Sequence, residues 1–223
     1  IIPWLNDIFP PEDSLDLLER KSHLSNPELK VGIIKLPSIS NFSDFDPLEN
    51  EDSIGIEWVT KSQSLNKFDF VILPGSKQTI KDQLFLENSG MSEDIREYSN
   101  KGNIIGICGG LQMLGTVLED PFLKEGSKTN FEKKIRGIGL LPIKTTFLAQ
   151  KITRQTYSKS IWPCLSEING FEIHNGITEL DKSQKSLKIM PIFKDAELGW
   201  YRENEGGGTI AGTYLHGIFE NDE

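Results

Sequence analysis

The chain has 223 residues, with 24 Lys plus Arg against 33 Asp plus Glu, a formal charge of −9 at neutral pH. That length buries one sizeable core, which excludes a disordered tail or a disulfide-stapled miniprotein. The negative balance is the wrong sign for gripping a phosphate backbone, so nucleic acid is not an expected partner. No apolar run approaches the roughly 18 to 20 residues of a membrane span, and Asp7, Glu12, Asp13 and Asp16 do not suit a signal peptide. A soluble cytoplasmic protein without a membrane partner is expected. Cys108 and Cys164 lie far apart and neither has a partner at metal-ligand spacing, so reduced thiols and no metal site are expected. The chain opens on Ile1 instead of Met and stops at Glu223 just after a motif, which suggests a piece excised from something longer.

Residues 1–28, with Pro3, Pro10, Pro11 and Pro27, read as a linker carrying one short helix over 13–21. Apolar, β-branched runs at 31–36, 68–73 and 103–107 predict buried parallel strands. Helical spacing covers 76–86 and 91–101, with Gly102 as the expected C-cap, and a further helix is predicted over 109–119. This β-α-β-α order implies right-handed crossovers with helices on both faces of the sheet. Beyond Pro121 the polar stretch 124–134 reads as a surface loop. Strand-like pieces at 140–147, 171–174, 188–193 and 209–214 imply antiparallel additions, and Glu205-Gly-Gly-Gly208 reads as a hairpin tip.

The chemistry concentrates in Gly106-Ile-Cys-Gly-Gly-Leu-Gln112, where a buried strand ends on a cysteine, two glycines turn the chain and a helix begins. This is the sequence form of a nucleophile elbow, which needs small neighbours around a strained residue. Such a turn places Sγ of Cys108 at the carboxyl end of a central strand, beside a helix N-terminus that favours a thiolate. The bland alternative is a small buried cysteine among glycines needed for tight packing. A cysteine nucleophile needs an imidazole, and there are three. His23 sits in the polar leader, His174 follows a strand-like Phe-Glu-Ile, and His216 ends the late strand Gly212-Thr-Tyr-Leu-His-Gly217. On position alone His216 leads. Leu73-Pro-Gly-Ser-Lys-Gln-Thr79 is a second strand-to-helix turn that can offer N–H groups to an oxyanion or serve as a plain βα loop with a Ser or Thr cap.

Together with Gly170-Phe-Glu-Ile-His174 and Gly212 to Phe219, these blocks resemble, in family order, the glutamine amidotransferase domains of cobyric acid synthases. The leader segments Ile2-Pro-Trp-Leu and Pro11-Glu-Asp-Ser14 are similar to the end of that family's synthetase domain. The resemblance implies a three-layer, flavodoxin-like α/β fold, an open sheet mostly parallel with some antiparallel additions, with residues 1–28 as linker and synthetase remnant and 29–223 as the amidotransferase domain. It makes Cys108 the nucleophile toward L-glutamine and His216 its base and acid. It assigns the N–H groups of Gly109, Gly75 and Ser76 to an oxyanion hole, and Gln112 to the substrate. The chain departs from triad-type relatives at Ile218, where a glutamate usually orients the histidine; Glu220 and Asp222 do not match the spacing. A Cys–His dyad is therefore expected, with Glu172 as a substitute orienter and His174 as a cleft residue. ATP, Mg²⁺ and the corrinoid substrate, adenosylcobyrinic a,c-diamide, are expected on an upstream synthetase domain, because this chain has no Gly-x-x-x-x-Gly-Lys-Ser/Thr loop. No cofactor is expected here. The alternatives are the glutaminase subunit of a cell-wall precursor amidotransferase and a catalytically silent regulatory domain.

Overall fold

A computed structural model describes residues 27–123, 133–184 and 187–221. The helix expected at 13–21, His23, the leader motifs and most of the loop expected at 124–134 lie outside these residues. Strand β1 (Leu29–Ile34) leads through a 3-10 turn (Phe42–Phe45) and the single-turn helix α1 (Asp46–Glu49) to β2 (Ile54–Val59). After β3 (Phe70–Leu73) come helices α2 (Thr79–Ser89) and α3 (Met91–Ser99), then β4 (Asn103–Ile107) and the short helix α4 (Gly109–Leu114). Strands β5 (Val117–Glu119) and β6 (Lys134–Arg136) precede a long hairpin, β7 (Ile143–Ser160) and β8 (Ser166–Leu180). The chain closes with β9 (Met190–Pro191), β10 (Gly199–Glu203), β11 (Thr209–Thr213) and β12 (Leu215–His216).

The strands form two sheets, ordered β2-β1-β3-β4-β11-β10-β9 and β12-β8-β7-β5-β6. In the first, β2, β1, β3, β4 and β11 are mutually parallel, and β10 and β9 add on antiparallel. Counting β11 as the fifth parallel strand, the order is 2-1-3-4-5, that of a flavodoxin-like doubly wound sheet, whose ligand crevice opens at strand carboxyl ends beside the β1/β3 switch point. Central strands are apolar because both faces are covered. Ile33, Ile34, Val71, Leu73, Ile104, Ile107 and Ile210 are all buried in one core, together with Ile80, Leu86, Met91 and Ile95 from α2 and α3. Each such side chain contributes about 1.5–3 kcal/mol relative to exposure.

Several expected boundaries move. The helix expected over 109–119 stops at Leu114, because Thr116 N–H donates to Ile143 O (2.8 Å) and pulls 117–119 into the second sheet. Helix α3 ends on Asn100 and not on Gly102, while α2 ends on Gly90 in the left-handed region (φ 82°). The pieces expected at 140–147 and 171–174 are parts of 18- and 15-residue strands. β2 was not anticipated. Glu205–Gly208 does lie between β10 and β11, closed by Asn204 N–H donating to Gly208 O (2.8 Å).

Candidate active site

Cys108 joins β4 to α4 with φ 51° and ψ −105°, a positive-φ conformation outside the left-handed helical well and rare for any residue but glycine. The strain is held by packing. A Cβ on Gly110 would sit 1.9 Å from Leu73 O, and one on Gly106 would sit 2.7 Å from Gly110 C, so α4 can close onto β3 and β4 only with glycine at both positions. The Cys108 N–H donates to Thr213 O (2.7 Å), tying the elbow to the end of β11. Its thiol donates to Ile173 O of β8 (3.3 Å).

His216 emerges from β12 and is buried. Its Nδ1–H donates to Asp44 Oδ2 (2.7 Å), and the adjacent Gly217 N–H donates to Asp44 Oδ1 (2.9 Å). One carboxylate therefore fixes both the ring and the backbone beside it. Asp44 is presented by the 3-10 turn Phe42–Phe45, which starts at Asn41 in the left-handed region (φ 50°) and is anchored by buried Phe45 set edge-on against Trp58 (5.7 Å). Burial opposes a charge on His216, yet hydrogen bonds to Asp44 and Cys108, with the charges behind them, outweigh it and push its pKa up to about 10.

The loop after β3 lies against the elbow. A Cβ on Gly109 would approach Ser76 N to 2.9 Å, and one on Gly75 would come within 3.2 Å of His216 Cε1, so both glycines admit close neighbours. This brings the Gly75–Ser76 turn, Gly109, Cys108 and His216 together. Asp82 of α2, buried, accepts from Ser38 N–H (3.2 Å) and Ser76 Oγ–H (2.6 Å), stitching the loops after β1 and β3. Burial holds its carboxyl above the usual range.

Gln112, one turn into α4, is also buried, and its amide is engaged with the protein. Nε2 donates to Asn175 O (2.9 Å) and Tyr214 Oη (3.2 Å), and Thr79 Oγ1 reaches Oε1 (3.4 Å). His174 stacks on Tyr214 with ring centroids 3.8 Å apart. Its Nε2 is 3.5 Å from Glu172 Oε2, and neither ring nitrogen makes a hydrogen bond of normal geometry among the described residues. Burial pulls its pKa below the ordinary value. Glu172 does not orient His216. It accepts from Arg154 Nε (2.6 Å) and Thr156 Oγ1 (2.5 Å), and although burial works to raise its carboxyl, these bonds hold it below the usual range. A cavity of about 230 Å³ opens over Cys108 and His216, with Gln112, Ser76, His174 and Asn175 in its walls and Lys77 and Lys151 beside them. Lys151 arrives there because the β7–β8 register shifts between Thr146 and Lys151.

A sequence profile described as the CobB/CobQ-like glutamine amidotransferase domain matches residues 30–223. The chain belongs to the CobB/CobQ-like glutamine amidotransferases. It is 77% identical over its whole length to a cobyric acid synthase of Prochlorococcus marinus strain MIT 9301, and 51% identical to that of strain NATL2A. It spans 44% of the length of each of these relatives. Among solved structures, one titled PurLQS from Thermotoga maritima superposes with a TM-score of 0.60 at 14% identity, covering 85% of this chain and 87% of that one. Another, titled glutamine amidotransferase, gives 0.60 at 15%, covering 84% and 90%. At that identity the likeness is one of fold. No helix among the described residues of this amidotransferase domain is long and apolar enough to cross a membrane, and no cluster of three His, Cys, Asp or Glu side chains among them could hold a metal ion.

Sequence reasoning missed Asp44, Asp82 and Tyr214 in this CobB/CobQ-like site. Asp44 is separated from His216 by 172 positions and carries no local signature. A signal did exist for Asp82, an acidic residue in the first turn of the helix that follows the candidate oxyanion loop.

Proposed function

We propose that this domain hydrolyses the side-chain amide of L-glutamine and supplies ammonia to a covalently linked ATP- and Mg²⁺-using synthetase domain. There it would amidate the side-chain carboxylates of adenosylcobyrinic a,c-diamide in cobalamin biosynthesis. The acceptor rests on the names and greater length of the relatives. The glutaminase step rests on one observation, a buried cysteine strained into an elbow in the wall of a cavity that it shares with a carboxylate-held histidine.

In this reading Sγ of Cys108, its proton passed to His216, attacks the amide carbon of glutamine. The oxygen turns negative and takes hydrogen bonds from the Gly109 and Gly75–Ser76 backbone N–H groups. The His216 imidazolium returns the proton to the departing nitrogen, the C–N bond breaks, and ammonia leaves a glutamyl thioester on Sγ. Water, deprotonated by the now neutral His216, then attacks the thioester and releases glutamate and the thiol. Gln112 acts on the substrate indirectly, by holding the backbone of Asn175 in the cavity wall.

Cys108→Ser tests the reading. Glutamine hydrolysis should fall by several powers of ten, the scale of losing a covalent nucleophile. In the full-length protein free ammonia should still support amidation by the same variant. Retained glutamine hydrolysis would overturn the assignment of Cys108, and failure of ammonia rescue would overturn the separation of the two chemistries.

A further inference from the structure

We propose that Asp44 is the positioning residue of the catalytic histidine, taking the place of the glutamate that is missing at Ile218 from a different element of the chain. The inference rests on the glutaminase reading of Cys108 and His216 and adds a third member to that pair. Three observations carry it. Asp44 is buried, 3% exposed, and both of its oxygens are bound within a residue of His216, one to the ring and one to the Gly217 backbone. His216 Nδ1 is thereby committed as a donor, so the ring turns Nε2 toward the cavity, which it lines while Asp44 does not. Asp44 is also supported in its own right, by the Asn41 turn and the insertion of Phe45 against Trp58, so its position does not depend on the histidine.

The chemistry follows from the charge. A carboxylate on Nδ1–H fixes the tautomer whose Nε2 can take the thiol proton, and it stabilises the imidazolium that forms when it does. Charge-assisted bonds of this kind are roughly twice as strong as neutral ones. The ionisable groups acting on His216 are Asp44 and Cys108. Lys77, Lys151 and His174 line the same cavity, and the Glu220 carboxylate lies beside Gly217. Glu220 is not the missing acid, since the carboxylate on Nδ1 is already Asp44.

Asp44→Asn is the decisive variant, because it keeps an acceptor for Gly217 N–H and presents an amide where the ring needs a carboxylate. Measured on the 223-residue chain with L-glutamine, kcat should fall by about two to four powers of ten, by analogy with the same change in a serine-protease triad. KM should change less than about threefold, since Asp44 does not line the cavity. The alkaline limb of the kcat profile, which reports loss of the His216 proton, should move to lower pH by about one unit or more. Asp44→Glu should recover part of the lost rate. An Asn variant with near-normal kcat and an unmoved limb, beside an inactive Cys108→Ser, would overturn the role of Asp44 and leave the glutaminase reading standing. Activity in Cys108→Ser as well would overturn the reading itself. If the Asn variant does not fold, ¹⁵N NMR of the His216 ring in the unaltered chain decides: a proton held on Nδ1 in the neutral as well as the cationic ring is expected, and a neutral ring protonated on Nε2 would overturn the proposal.

Discussion

Two buried histidines flank the same cavity, each with a carboxylate close by, and they behave oppositely. His216 is pushed up to about 10, whereas His174 is drawn below its ordinary value. Burial acts against the charged form in both. The difference lies in how far each carboxylate is committed elsewhere. Asp44 gives its oxygens to His216 and to the backbone next to it, at 2.7 and 2.9 Å. Glu172 gives Oε1 to Arg154 Nε and Thr156, and its Oε2, which also accepts from Arg154 Nη2 (3.2 Å), lies 3.5 Å from His174 Nε2. Proximity of an acid is therefore a poor guide to the state of a histidine unless the other partners of that acid are counted.

The largest effect expected from this contrast is on rate. His216→Asn should lower kcat for glutamine by about 10²–10⁴, the range of a lost general acid and base. His174→Asn should cost less than about tenfold, because His174 stacks on Tyr214 and holds no proton that the reaction uses. Equal losses in steady-state assays would break the comparison. A smaller effect is expected on stability against pH. Held above its ordinary 6.5, His216 contributes stability that is complete below about pH 6.5 and is lost as pH rises towards 10. His174, held below 6.5, has the opposite sign, its contribution complete above pH 6.5 and lost as pH falls beneath it. Thermal melts should fall on both flanks, by about 2–4 °C for each kcal/mol lost. His216→Gln should flatten the alkaline side and His174→Gln the acid side, and unchanged flanks would show that other groups set the profile. The smallest effect sharpens the comparison most. Arg154→Met removes a largely exposed guanidinium from Glu172 and leaves more of that carboxylate for the neighbouring imidazole. The His174 ring, followed by NMR, should then titrate at higher pH, and a downward or absent shift would show that Arg154 does not govern it.

Much of the first sheet was legible because buried parallel strands are continuous apolar runs. β1, β3 and β4 announce themselves this way and the glycines around Cys108 mark the elbow, whereas β11, read among the antiparallel additions, pairs parallel with β4. β2 was not legible, because Ile54-Gly-Ile-Glu-Trp-Val is an edge strand that mixes exposed and buried positions instead of forming a continuous apolar run. The β7–β8 hairpin was read too short for a related reason. Over 148–159 one face meets solvent, so polar residues outnumber apolar ones and only cross-strand pairing reveals the strand. The end of α4 was misplaced because Thr116 is claimed by Ile143, a partner that no helical pattern reports. Within the site, residues at strand ends could be seen because a local motif surrounds each of them. Asp44 could not, since its meaning lies entirely in a contact made across 172 positions.

That separation has a temporal consequence. Asp44 comes from the first crossover of the sheet and His216 from just beyond its last parallel strand, with Cys108 between them. A chain emerging from synthesis has the elbow early, but it acquires the imidazole and its carboxylate partner as a unit only after β11 has docked beside β4. On the proposed reading, glutamine cleavage would report completion of the parallel sheet, and a half-made or truncated molecule would be silent toward glutamine.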